Sequence, residues 1–153
     1  WAFATAGAAT PRFFEAIATN AQTRLEQFNP QNIANVAWAF ATSGVYAPRF
    51  FDAIAEAARQ RLGDFKAQEL TNTAWSFATA GIDAPALFDA IAAAAQPRLG
   101  EFNPLDLSNT AWAFAKAGVD APGLVDAIAT AAQPMLGSFT PQALASTAWA
   151  FAT

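Results

Sequence analysis

Trp1, Trp38, Trp75, Trp112 and Trp149 are the five tryptophans of the chain, and successive ones stand 37 residues apart. A constant interval of that length marks a stacked repeat array, in which a unit too small to bury its own apolar face relies on its neighbours. The likeness between units extends past tryptophan. Each reads Trp-(Ala/Ser)-Phe-Ala, then a glycine, an Ala-Pro or Thr-Pro pair, a Phe/Leu-rich stretch, Ala-Ile-Ala, a leucine, a phenylalanine and a polar turn. The units run 1–37, 38–74, 75–111 and 112–148, and residues 149–153 start a fifth. Because the chain opens and closes in the same phase of the repeat, the expectation is a piece of a longer array, with flanking domains and targeting signals outside it.

Within a unit the signals are those of two helices. Asn29-Pro30, Asn103-Pro104 and Thr140-Pro141 each place a capping side chain before a proline, which loses nothing at the first helical position by lacking an N–H. Ile33, Ala37, Phe40 and Ala41 follow at helical spacing, with Leu70, Leu107 and Leu144 replacing Ile33 in later copies. Gly44, Gly81 and Gly118 are placed to end that helix in a left-handed turn. A second helix starts at Pro48, Pro85 and Pro122, and Phe51, Ile54, Ala55, Ala58, Leu62 and Phe65 form its apolar stripe. Asp52, Asp89 and Asp126 in or near its first turn, with Arg24, Arg61 and Arg98 near its end, match the helix dipole. Pro97 and Pro134 predict a break at about residues 95–96 and 132–133. The fold class expected is all-α, an α-solenoid of antiparallel helical hairpins.

Composition narrows the chemistry. The chain has no cysteine and no histidine, which removes disulfides, thiolate and imidazole catalysis and nearly all transition-metal sites. Carboxylates recur once or twice per unit at equivalent positions, so stacking sets them in rows rather than converging them as an acid–base pair. The expectation is therefore a non-enzyme with no cofactor and no metal. No apolar run is long enough to span a bilayer, so no membrane insertion is expected. The net charge of −4 falls entirely in residues 76–153, where two basic residues face six acidic ones. That is not the basic footprint of an autonomous nucleic-acid binder.

The run Asn29-Pro30-Gln31-Asn32-Ile33-Ala34-Asn35-Val36-Ala37-Trp38-Ala39-Phe40-Ala41, the later Asn109-Thr110-Ala111-Trp112-Ala113-Phe114-Ala115-Lys116-Ala117-Gly118 and the linking Pro97-Arg98-Leu99 resemble octotricopeptide repeats. Those helical hairpins occur in organellar RNA-processing and translation factors, and they look related to the repeat regions of FAST-kinase-type proteins that often end in a RAP domain. The resemblance implies recognition of single-stranded RNA in a chloroplast or mitochondrion. The residues alone imply a repeat scaffold, and its charge fits protein partners at least as well as RNA. Oligomeric state is left open.

Candidate contact residues are those that recur on one face of the first helix. Asn35, Asn72 and Asn109, with Ser146 in the fourth copy, precede each Trp by three residues. Their amides match the paired donors and acceptors of a base edge, or else they bond the backbone of the adjacent repeat and hold the stack in register. Thr42, Thr79, Lys116 and Thr153 lie on the same helical face, and Asn32, Glu69, Asp106 and Ala143 form a second set that varies between units. Arg49, Arg59, Arg61 and Lys66 cluster in the sequence as candidate phosphate contacts. The tryptophans are read as a buried core ladder rather than as stacking platforms for bases.

Overall fold

The computed structural model describes residues 10–153, so Trp1 lies outside the described residues. Those residues hold the α-helices α1 (Thr10–Gln22), α2 (Pro30–Ser43), α3 (Pro48–Arg59), α4 (Ala67–Ala80), α5 (Pro85–Ala95), α6 (Pro104–Ala117), α7 (Pro122–Ala132) and α8 (Pro141–Ala152), and no strand. The even-numbered helices are the first helices of successive hairpins and the odd-numbered ones are the second. Short 3-10 segments, Leu25–Gln27, Leu62–Asp64, Gln96–Glu101 and Gln133–Ser138, lead from each second helix to the next first helix. The architecture is the α-solenoid that the period predicts.

Local chemistry explains the boundaries. Asn29 Oδ1 accepts from the Asn32 backbone N–H at 2.8 Å and Asn103 Oδ1 from that of Asp106 at 2.8 Å, and Thr140 Oγ1 accepts from Ala143 at 3.1 Å. Each satisfies one of the orphan donors of a helix start. Gly44, Gly81 and Gly118 have φ of 71°, 67° and 67°, the left-handed conformation that a side chain disfavours. Pro97 and Pro134 act as expected: α5 stops at Ala95 and α7 at Ala132, and the chain tightens into six-residue 3-10 segments. The equivalent segment at Leu62–Asp64, which has Gln60 where the proline would be, has only three residues. Asp52, Asp89 and Asp126 stand immediately after the first turns of α3, α5 and α7, which carry no acidic residue themselves, Arg24 and Arg61 lie just beyond the ends of α1 and α3, and Arg98 lies in the last turn of the Gln96–Glu101 segment.

The two layers are unequally packed. First helices α2, α4, α6 and α8 lie side by side in close contact, whereas successive second helices touch less and α7 packs against the intervening Gln96–Glu101 segment. Small side chains permit the close approach: Ala34, Ala74, Ala78, Ala111 and Ala113 are buried there with Thr71, Thr73, Ser76, Ser108 and Thr110. The first helices thus form one continuous layer, and their side turned away from the second helices is the inner face of the array. Two hydrogen bonds tie neighbouring first helices across this seam: Thr71 Oγ1 to Thr110 Oγ1 at 2.9 Å, and Ser108 Oγ donating to the Ala143 carbonyl at 3.1 Å.

Between the layers runs a phenylalanine core. Phe40, Phe51, Phe65, Phe77, Phe88 and Phe114 are fully buried with Ile33, Leu70 and Leu107. Edge-to-face pairs link first helices to second helices: Phe14 with Phe40 at 4.9 Å, Phe51 with Phe77 at 5.0 Å and Phe88 with Phe114 at 5.0 Å between centroids. Such pairs add about 0.5–1.5 kcal/mol to the burial itself.

The tryptophans do not belong to this core. Trp38, Trp75 and Trp112 are half-buried and Trp149 is 45% exposed. The physical reason is angular: at ~100° per residue, Trp and Phe two positions apart point about 200° away from each other, so a helix that buries Phe40 must turn Trp38 outward.

Stability should follow this division. Phe77→Ala is expected to cost about 3–5 kcal/mol, as for emptying a large core site, whereas Trp75→Ala should cost about 1–2 kcal/mol for partial burial and one ring contact. Urea denaturation of the two variants checks the order, and equal losses would return tryptophan to the core. At the seam, Thr71→Val or Thr110→Val alone should cost ~1–3 kcal/mol by stranding a buried hydroxyl, and the double variant should cost less than either. An additive double-mutant cycle would show that the Thr71–Thr110 bond does not hold the register.

Candidate nucleic-acid interface

The free face of each first helix presents four side chains at successive turns. In α2 they are Gln31, Asn35, Trp38 and Thr42; in α4, Gln68, Asn72, Trp75 and Thr79; in α6, Leu105, Asn109, Trp112 and Lys116; in α8, Gln142, Ser146 and Trp149, followed by Thr153 at its C-cap. Since the helices pack side by side, the four positions become four rows along the inner surface. The structure thus brings together all the sequence-predicted site residues, Asn35, Asn72, Asn109, Ser146, Thr42, Thr79 and Lys116, and adds two rows that sequence reasoning missed.

The first added row is tryptophan. Trp75 and Trp112 stand 6.2 Å apart at 30° between ring planes, and Trp112 and Trp149 stand 6.5 Å apart at 38°. These rings form a tilted ladder with an edge open to solvent, a surface that offers π-faces to a partner without sequence preference. The second added row is Gln31, Gln68, Leu105 and Gln142, all exposed, with Leu105 58% exposed. Its signal was present as a spacing of four residues before each Asn or Ser.

The amide row is free to bind. Asn35 is exposed and Asn72, Asn109 and Ser146 are half-buried. Among the described residues no hydrogen bond joins the side-chain amides of Asn35, Asn72 and Asn109 to another protein group. The alternative in which they lock adjacent repeats is therefore not what the structure shows, and the Thr71–Thr110 and Ser108–Ala143 bonds do that work instead. The threonine row is less available: Thr42 Oγ1 donates to the Trp38 carbonyl at 2.9 Å and Thr153 Oγ1 to that of Trp149 at 2.9 Å, which leaves each as an acceptor.

Two other candidate sets resolve differently. Asn32, Glu69 and Asp106 are the third residues of their helices and reach back to the capping backbone N–H of Asn29 at 3.2 Å, Lys66 at 2.8 Å and Asn103 at 3.2 Å. Ala143 occupies the same place without a side chain to return the bond. These residues close capping boxes and do not face a ligand. Arg49, Arg59 and Arg61 belong to α3 and the turn that follows it, and Lys66 stands at the start of α4, so the cluster is off the inner face. Arg59 is paired with Glu56 at 3.3 Å. Lys116 is thus the one cation in the four rows, and the described residues hold no group of His, Cys, Asp or Glu arranged for a metal ion. No helix among them is long and apolar enough to cross a membrane.

A helical-repeat array with aromatic and amide rows along one face of its first helices is a protein of the α-solenoid class. The chain belongs to the RNA-editing substrate-binding complex 6 protein family, whose pattern covers residues 1–153. No curated protein shows significant similarity to it.

One capping carboxylate carries a pH signature. Burial raises the pKa of Asp106 above the ordinary carboxylate value, while the bond from the Asn103 N–H opposes the rise. The folded chain therefore holds this proton more tightly than the unfolded chain, so stability at this site increases as pH falls through the raised pKa. Asp106→Asn keeps an acceptor for Asn103, as Asn32 does in α2, and removes the buried charge. It should be at least as stable as the parent at neutral pH, with the gap narrowing as the parent protonates, whereas Asp106→Ala should cost about 1 kcal/mol. Thermal melts across acidic to neutral pH check both, and a gap that widens toward acid would contradict the assignment.

Proposed function

We propose that this chain is a non-catalytic segment that binds single-stranded RNA within an organellar RNA-editing or RNA-processing assembly. The strand lies along the inner face, with bases against the tryptophan ladder and base edges or riboses within reach of Asn35, Asn72, Asn109 and Ser146. The observation that carries the reading is the juxtaposition of a Trp75–Trp112–Trp149 ladder, partly buried at its first two rings and exposed at Trp149, with an amide row that has no hydrogen-bond partner among the described residues. Stacking on aromatic side chains contributes about 1–3 kcal/mol per base. Amides supply donors and acceptors together, as base edges do. Membership of an RNA-editing substrate-binding family and the resemblance of the Asn-xx-Trp helices to octotricopeptide repeats support RNA as the partner. A chloroplast or mitochondrial setting follows from the same resemblance.

Charge sets the character of the binding. With Lys116 as the one cation in the four rows and a net charge of −4, little affinity comes from phosphate neutralisation. The logarithm of the binding constant should therefore fall against that of salt with a slope no steeper than about −0.7, the value for a single phosphate contact on a single strand.

Titration of single-stranded RNA, followed by quenching of tryptophan fluorescence, tests the proposal. Trp112→Ala and the triple variant Asn35/Asn72/Asn109→Ala should each weaken binding about tenfold or more, with folding confirmed by circular dichroism. Unchanged affinity in both would place the RNA elsewhere. Absence of RNA binding, together with capture of another subunit of the assembly on the same face, would establish a protein-interaction scaffold instead.

A further inference from the structure

Beside the inner face a cavity recurs along the array, walled by the turn between the two helices of one hairpin and the last turn of the next unit's first helix. The cavity between the α2–α3 turn and α4 has a volume of about 110 Å³, with Tyr46 and Thr79 in its wall. Between the α4–α5 turn and α6 it is about 250 Å³, with Asp83 and Lys116. Between the α6–α7 turn and α8 it is about 500 Å³, with Asp120 and Thr153. Two walls are the same in all three: the left-handed glycine, Gly44, Gly81 or Gly118, and the core phenylalanine, Phe40, Phe77 or Phe114. What changes is the polar pair. A fixed frame with a variable pair of side chains at each step is what a modular reader of successive bases requires.

We propose that the Asp83–Lys116 cavity is a guanine subsite. The inference rests on the RNA reading above and adds a base identity to one position. Both side chains are exposed, both line one cavity, and no ion pair joins them among the described residues. Their charges are therefore available to a third party that is itself neutral. A carboxylate offers two acceptor oxygens and an ammonium offers three donors. Guanine alone among the four bases presents two adjacent N–H groups, N1–H and N2–H₂, to a carboxylate, with O6 and N7 acceptors beyond them for an ammonium. Adenine turns the N1 lone pair toward the carboxylate, cytosine does the same with N3, and uracil has a single N–H. Lys116 stands one helical turn from Trp112, so a strand stacked on the ladder brings a base edge to this cavity. A phosphate is disfavoured there, because Asp83 shares the wall with Lys116.

The test uses short uridine-rich single-stranded RNAs that differ at one central position, bound by the full 153-residue chain. Because the strand can slide, the variable base finds its own register. The guanine oligonucleotide is expected to bind about tenfold tighter than its adenine counterpart, within the discrimination of a good paired contact, and inosine, which lacks the N2 amino group, should fall between. Lys116→Thr, which installs the residue found at positions 42 and 79, and Asp83→Asn should each abolish the guanine preference, and Asp83→Asn, at a position outside the four rows, should do so while leaving binding of the all-uridine strand unchanged. Equal affinity for all four bases would overturn the subsite and leave the RNA reading standing, as would a guanine preference that survives both substitutions. Failure of every oligonucleotide to bind would overturn both.

Discussion

The side-by-side contact between alanine-rich first helices is the constraint from which the rest of the molecule follows. Small residues at the seam, among them Ala34, Ala74, Ala78 and Ala111 with Thr71, Ser108 and Thr110, let these helices approach more closely than the second helices can. The central first helices, α4 and α6, are thereby committed on three sides: two flanks to neighbouring first helices and one stripe, through Phe77 or Phe114, to the second-helix layer. Only one face is left for solvent. Tryptophan, the unpartnered amides and the Thr or Lys position all fall on that face because no other is vacant.

The division of labour between the two aromatic residues is a consequence of helical geometry and of size. Phenylalanine has no polar atom and packs edge-to-face between layers at about 5 Å, as Phe51 with Phe77 and Phe88 with Phe114 do. Tryptophan is bulkier and carries an indole N–H that favours a half-wet position. Its ladder gains partial shelter from the neighbouring ring, and its outer edge stays in contact with water. An array of this kind keeps a large aromatic surface open without leaving its core thin, because the phenylalanines fill the core.

Electrostatics sets the character of the inner face, where Lys116 is the one cation in the four rows. A basic groove would hold any polyanion, whereas a neutral surface in an acidic chain rewards shape, stacking and paired hydrogen bonds. That suits a component acting alongside other subunits, as the RNA-editing substrate-binding complex 6 family implies. On the proposed RNA reading the rim cavities are the places to discriminate between bases, since their frame repeats and their polar pairs do not.

The period of 37 residues, the Asn-Pro and Thr-Pro caps, the glycine stops and the proline breaks were enough, without coordinates, to determine two helices per unit and an α-solenoid. These are local signals, each tied to a few consecutive residues and to backbone rules that hold in any context. The shared face of Asn35, Trp38 and Thr42 was likewise legible, because helical spacing places those residues together. Which face of that helix is buried was decided only by tertiary packing. Ile33, Ala37 and Phe40 compete with Trp38 for the core, and the outcome depends on how closely the neighbouring helix approaches, a distance that no single unit encodes. The Thr71–Thr110 bond and the Asp83–Lys116 cavity were invisible for the same reason. Each joins residues of different units, and only the stacking of one hairpin on the next brings them within reach.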